Sequence, residues 1–165
     1  VAGEFDDLLA ANEKFAETFS LSGFDGVAHA GVAMVTCMDS RIDPLGMLGL
    51  QPGDAKIVRN PGGRVTDAAL VAMVLGVNLL GVDRILVIPH TRCAMALSTE
   101  AELRTMVGKA CGVDASWATF GAVTHQEAAL RDDVNRIRTH PLIPDTIAVG
   151  GFLYDVDDGR LRQVV

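Results

Sequence analysis

The sequence predicts a single α/β domain over residues 1–165, with a mostly parallel central sheet, flanking helices, an N-terminal helical arm and a C-terminal antiparallel hairpin. Three observations carry this. Short, nearly continuous apolar runs, such as Val32 to Cys37 and Arg84 to Pro89, mark strands buried on both faces. Between them lie segments with helical spacing and helix caps, and such alternation makes the strands parallel. The chain closes on two short stretches around a Gly-containing turn, a hairpin that adds an antiparallel edge.

The elements follow in order. Phe5, Leu8, Asn12, Phe15 and Phe19 recur at helical spacing, so residues Glu4 to Phe19 read as an amphipathic helix. Packed on its own domain this helix is a lid or brace; exchanged across a dimer it is an arm. Val32 to Cys37 is the first strand. The turn Q-P-G-D introduces a second, Ala55 to Arg59. Thr66 or Asp67 caps a helix that ends near Gly81. Arg84 to Pro89 is the third strand. Thr99 with Glu102 forms a capping box for a helix over Glu100 to Ala110. Thr124 with Glu127 repeats that pattern, followed by the apolar stripe Leu130, Val134 and Ile137. Thr146 to Val149 is a fourth strand, and F-L-Y-D-V, D-D-G-R and L-R-Q-V make the terminal hairpin.

Composition excludes several classes. At 165 residues and 49% hydrophobic the chain can bury a sizeable core, and disorder is excluded. The formal net charge is -7, with 14 basic and 21 acidic residues and no basic block, which argues against a nucleic-acid partner. The longest apolar stretch, Ala68 to Leu80, is broken by Gly76 and Asn78 and falls short of a membrane span. The stretch V-A-G-E-F-D-D is acidic and lacks the basic and apolar regions of a signal peptide. The 3 cysteines, Cys37, Cys93 and Cys111, make a poor disulfide framework and fit reduced thiols or metal ligands in the cytoplasm.

Chemistry-bearing residues gather at strand ends. Cys37 closes the first strand, His90 follows the third, and Cys93 comes three residues later in H-T-R-C. Ligands in open α/β sheets collect beyond the carboxyl ends of strands. Two thiolates and an imidazole suit zinc. The spacing alone equally allows a buried core thiol and a satisfied histidine. Three protein ligands leave a tetrahedral zinc one position for water, whose pKa falls to roughly 7. Cys111 as a fourth ligand would instead make the site structural. In an extended chain residues 37, 39 and 41 share one face. Asp39 could then ligate the metal, or Arg41 could hold it off by a charge-assisted contact, leaving it to accept a hydrogen bond from the metal's water. Arg59-Asn60-Pro61-Gly62-Gly63 implies a tight turn with close backbone approach, forming another wall of the cleft.

The motifs C-M-D-S-R, R-N-P-G-G and H-T-R-C, in this order, resemble the beta-class carbonic anhydrases, whose pattern is C-x-D-x-R, R-N-A-G and H-x-x-C. The stretch L-G-V-N-L-L-G-V-D-R-I-L-V-I-P-H and the terminal G-F-L-Y-D-V-D-D-G-R-L resemble the family too, so the likeness runs from about Ala33 to Val164. The resemblance implies Zn2+ held by Cys37, His90 and Cys93, an Asp39–Arg41 dyad, interconversion of carbon dioxide and bicarbonate, and assembly into dimers or tetramers with the N-terminal helix reaching over a partner. Ala94, Pro89, Pro61 and Arg92 depart from the Gly, Gly, Ala and Asp common in the family. Enzymes with the same zinc site hydrolyse carbonyl sulfide or carbon disulfide, and some family members rest with the aspartate on zinc. Three readings therefore compete: a carbon dioxide hydratase, a carbonyl sulfide or carbon disulfide hydrolase, and a non-catalytic zinc-binding or anion-sensing protein. His125 and His29 are candidate proton shuttles for the first.

Overall fold

Val32–Cys37 (β1) has every residue buried, as its unbroken apolar run requires. The computed structural model describes residues 3–165; Val1 and Ala2, at the head of the acidic N-terminal stretch, lie outside the described residues. Ala55–Asn60 (β2) and Arg84–Ile88 (β3) flank β1 on either side, both parallel to it. Ala148–Tyr154 (β4) runs parallel to β3, and Leu161–Gln163 (β5) pairs antiparallel with β4. The order is β2-β1-β3-β4-β5. The chain thus steps from β1 outward to β2, then returns to lay β3 on the other side of β1. That reversal opens a crevice beyond the carboxyl ends of β1 and β3.

Helices are Asp6–Ala16 (α1), Asp67–Leu79 (α2), Ala94–Leu97 (α3), Glu100–Cys111 (α4) and Gln126–Arg138 (α5). Strand alternation sorts the core. Ala33, Val35, Ile85 and Val87 face Leu70 and Met73 of α2 and Leu130, Val134 and Ile137 of α5. Val32, Met34 and Ile88 face the other way, toward Met47, Leu50, Phe152 and Leu161. Among the described residues, α1, α3 and α4 bury none of their side chains.

The Thr66 cap and the Thr99–Glu102 capping box form as expected. Three expectations need correction. The helix at the N-terminus is shorter than Glu4 to Phe19, and Phe5, Leu8, Phe15 and Phe19 are exposed, so it does not brace its own domain. The second capping box does not form: His125 stands at the cap of α5 without a side-chain bond, because Glu127 reaches Arg162 on β5 at 2.5 Å. The fourth strand and the first arm of the hairpin are one strand, β4, continuous through Gly150 and Gly151. A methyl on Gly151 would lie 2.7 Å from Val165 Cγ1 and 3.0 Å from Leu130, so glycine there admits packing rather than ending the strand.

A buried carboxylate joins α5 to the segment that follows β2. Asp133 of α5 is buried and accepts from Arg64 Nε at 2.6 Å, Arg64 Nη2 at 3.1 Å and the Val65 N–H at 3.2 Å. It ties the turn after β2 to the helix under the sheet. D133A should lower stability by about 2–3 kcal/mol, less than the roughly 3–5 kcal/mol for a fully buried pair because Arg64 is partly solvated. Urea unfolding followed by circular dichroism measures it; a loss within a few tenths of a kcal/mol would contradict this role.

Candidate metal centre

Parallel pairing of β1 with β3 brings Cys37, His90 and Cys93 together. Thr36, one residue before the strand end, donates its hydroxyl to the Ile88 carbonyl at 2.8 Å and pins the two ends in register. Beyond Ile88 the chain stays bound to β4: the Tyr154 N–H donates to the Pro89 carbonyl and the Thr91 N–H to the Tyr154 carbonyl, each at 2.9 Å. Gln126, at the start of α5, donates to the His90 carbonyl at 2.9 Å. His90 is therefore fixed from three elements. The three donor atoms lie within 4.8 Å of one another, the two sulfurs are 4.0 Å apart, and all three residues are buried.

The chemistry of this cluster points to a cation. His90 donates its Nδ1–H to the Thr91 carbonyl at 2.8 Å, which leaves Nε2 with its lone pair. That Nε2 is buried and has no hydrogen-bond partner among the described residues. Such an atom costs free energy unless something fills its lone pair. The two thiols hydrogen-bond each other. Cys93 thereby holds the Cys37 thiol well below its ordinary value, against burial, and Cys37 together with burial pushes Cys93 up. A cation between the two sulfurs would take the place of the proton they share. A tetrahedral zinc sets its donor atoms roughly 3.3–3.8 Å apart, close to the spacing found. The residues present fit such an ion.

Asp39 and Arg41 stand at the mouth. Residues 37, 39 and 41 do not share an extended face as expected, because β1 ends at Cys37 and the chain turns, the Ile42 N–H reaching the Asp39 carbonyl at 3.1 Å. The turn nonetheless delivers the pair. Asp39 Oδ1 accepts from the Arg41 N–H at 3.0 Å and from Nε at 2.9 Å, and Oδ2 accepts from Nη2 at 2.7 Å. The Arg41 side chain, then its backbone N–H, hold the Asp39 carboxyl well below the usual carboxylate range. Oδ2 lies 3.8 Å from His90 Nε2, so the carboxylate stands beside the orphaned nitrogen while committed to arginine. Arg59 braces the turn from β2, donating to the Cys37 carbonyl at 2.9 Å and the Asp39 carbonyl at 2.6 Å.

The R-N-P-G-G turn forms the expected wall. Asn60 clamps its ends, accepting from the Arg64 N–H at 2.8 Å and donating to the Arg64 carbonyl at 2.7 Å. Gly63 has φ 65°, and a methyl there would lie 3.0 Å from the Cys37 nitrogen and 3.1 Å from the Thr36 carbonyl carbon. Backbone rests on backbone beside the first thiol. The nearby groove of about 490 Å³ lines itself with Pro61, Arg64, Asp133 and Arg136 and touches none of the three donors. Both of its arginines are engaged, Arg64 with Asp133 in the groove and Arg136 with Asp67 outside it.

Other candidates fall away. Cys111 is exposed at the end of α4 and is no part of the cluster. His29 precedes β1, at the opposite end of the sheet, and pairs with Asp25 at 3.1 Å. His125 adjoins Gln126 but makes no side-chain cap. Sequence reasoning missed Gln126 and the bracing role of Arg59. The only signal for Arg59 was its place at the head of the turn motif, and Gln126 had none.

The family model described as carbonic anhydrase matches residues 32–161. The chain is 31% identical over 163 residues to beta-carbonic anhydrase 1 of Mycobacterium tuberculosis (strain ATCC 25618 / H37Rv), covering 96% of each chain. It is 34% identical over 156 residues to a carbon disulfide hydrolase of Acidianus sp. (strain A1-3), covering 79% of this chain and 75% of that one. The crystal structure of a carbonic anhydrase from Streptococcus mutans superposes with TM-score 0.89 at 38% identity, covering 100% of this chain and 99% of the other.

The geometry generates one test of its own. G63A must force a side chain into the left-handed region and onto the backbone of β1. It should cost about 1–3 kcal/mol and expose the thiols. Urea unfolding together with thiol titration of the metal-free protein checks both; unchanged stability and unchanged thiol protection would refute the close approach.

Proposed function

The chain belongs to the beta-class carbonic anhydrase family, and from that premise we propose that it catalyses the reversible hydration of carbon dioxide to bicarbonate and a proton, with zinc as cofactor. The observation that carries this is the buried Cys37–His90–Cys93 cluster with its unpartnered Nε2, beside a carboxylate held back by arginine. Cys37, His90 and Cys93 would hold the ion. Bound there, zinc supplies a Lewis acid that brings a water's pKa toward neutrality. The chain's own groups do the rest. Thr91 fixes the His90 tautomer and Gln126 its backbone. Asp39, kept ionised by Arg41, is an acceptor only and orients a hydrogen-bond donor at the mouth. Arg41 holds Asp39 away from the cluster and carries a cation where an anionic product forms.

A second reading keeps the residues and changes the electrophile to carbon disulfide or carbonyl sulfide. The 34% identity to the Acidianus hydrolase favours it specifically. The assembly we propose is a homodimer exchanging α1, supported by the exposed Phe5, Leu8, Leu9 and Phe15 on a helix that buries nothing in its own chain.

The deciding experiment compares carbon dioxide hydration with sulfide release from carbon disulfide and carbonyl sulfide, on protein whose zinc is quantified. We expect hydration to dominate and zinc to approach one per chain, with C93A losing most of it. Zinc retained in both C37A and C93A would sink the ligand assignment, and sulfide release outrunning hydration would move the reading to the hydrolases.

Arg41 offers a sharper check. In R41A the Asp39 carboxylate loses its partner and is free to turn to the cluster. Hydration should fall by about 10- to 100-fold, as for other residues that orient a metal site, while zinc stays bound. Loss of zinc in step with activity would show that Arg41 supports the fold instead.

A further inference from the structure

The loop between β3 and α3 holds the one described residue other than glycine with a positive φ, Arg92 at 53°. Such a conformation is uncommon for a residue with a Cβ and persists where neighbouring contacts over-determine it. The turn between β4 and β5 supplies them. Thr91 donates its hydroxyl to the Asp155 carboxylate at 3.3 Å and accepts from the Val156 N–H at 3.1 Å. Arg92 itself pairs through Nη2 with Asp157. So held, Arg92 presents its carbonyl to Arg41. Arg41 Nη2 donates to that carbonyl at 3.3 Å and to Asp39 at 2.7 Å.

Asp157 is joined to Arg41 through Arg92, whose carbonyl receives one guanidinium and whose own guanidinium holds the carboxylate. Arg41 is held protonated first by its bond to Asp39, and at longer range by the charges of Asp39 and Asp157. The Arg92–Asp157 pair is 57% and 63% exposed and adds little to stability. What it changes is which carboxylate Arg41 faces. With Asp157 unpaired, two carboxylates would compete for one guanidinium, and each departure of Arg41 would release Asp39 toward an ion held by the cluster.

We propose that Arg92 is a positioning residue that keeps Arg41 on Asp39 by two means: its carbonyl receives a spare N–H of Arg41, and its guanidinium occupies Asp157, the competing carboxylate. This rests on the reading of Asp39 and Arg41 as the working dyad. The positioning act itself is a matter of where Arg41 lies.

The test uses R92N, because asparagine tolerates the left-handed region and removes the cation without adding strain. Crystal structures of the zinc-loaded wild type and R92N should show Arg41 moved from Asp39 to Asp157. Carbon dioxide kcat/KM should fall by about 10-fold. The visible spectrum of cobalt-substituted R92N should shift as in R41A. In R92N/D157N the competitor is gone, so Arg41, spectrum and rate should return most of the way, and R92K should also recover. R92Q replaces R92N if the latter does not fold. Arg41 still on Asp39 in the single variant, or no recovery in the double, overturns the proposal. A wild type without hydration activity would refute the functional reading alone, while the position of Arg41 in the crystals would still decide for or against Arg92.

Discussion

The parallel pairing of β1 with β3 is the interaction on which the rest of the molecule depends. These strands are neighbours in the sheet but not successive in the chain, since β2 lies between them in sequence and outside them in space. Their carboxyl ends therefore share a crevice that no connection crosses. A buried hydroxyl, Thr36 on the Ile88 carbonyl, sets their register. A slip there would carry Cys37 away from His90 and turn every core side chain to the wrong face. Gly63 secures the same point from the β2 side, where main chain touches main chain.

Around that point the electrostatics divide by depth. The donor cluster is buried and soft, and its Nε2 lone pair and two adjacent sulfurs are groups that burial disfavours unless a cation engages them. The Asp39–Arg41 pair lies at the surface of the same pocket with its side chains 20% and 39% exposed. An exposed pair contributes little to folding. Its three bonds instead decide geometry, because a carboxylate so engaged is both ionised and aimed. The depth of the donors governs affinity for an ion, and the shallowness of the dyad governs what approaches it.

Much of this was legible in the sequence, for reasons that can be named. β1 and β3 announce themselves because strands buried on both faces have no polar alternation to obscure them. The Thr99–Glu102 box is local, so three residues suffice to read it. Thr124 and Glu127 carry the same letters, yet Glu127 is drawn off by Arg162 from a strand 35 residues away. Gly150 and Gly151 read as a break, but the space they leave is taken by Phe152, Leu130 and Val165. At the site, residue types and spacing disclose the donors. The route to the dyad was misread as an extended face because the turn is imposed by Asp39 and by Arg59 from β2. Gln126 has no local mark at all, since its role is a single bond to a carbonyl 36 residues away.

The distance along the chain between the donors has a consequence for how the pocket is born. His90 and Cys93 share one loop and can meet in a short peptide, whereas Cys37 joins them only when β1 and β3 have docked. Loop closure of that length is an entropic toll met late, with the non-local part of the topology. An ion encountering the nascent chain would find two donors, with the third arriving only in the finished sheet. Capture would then be part of folding itself: an ion completing its coordination would draw the equilibrium toward the paired strands, linking metal supply to the yield of native protein.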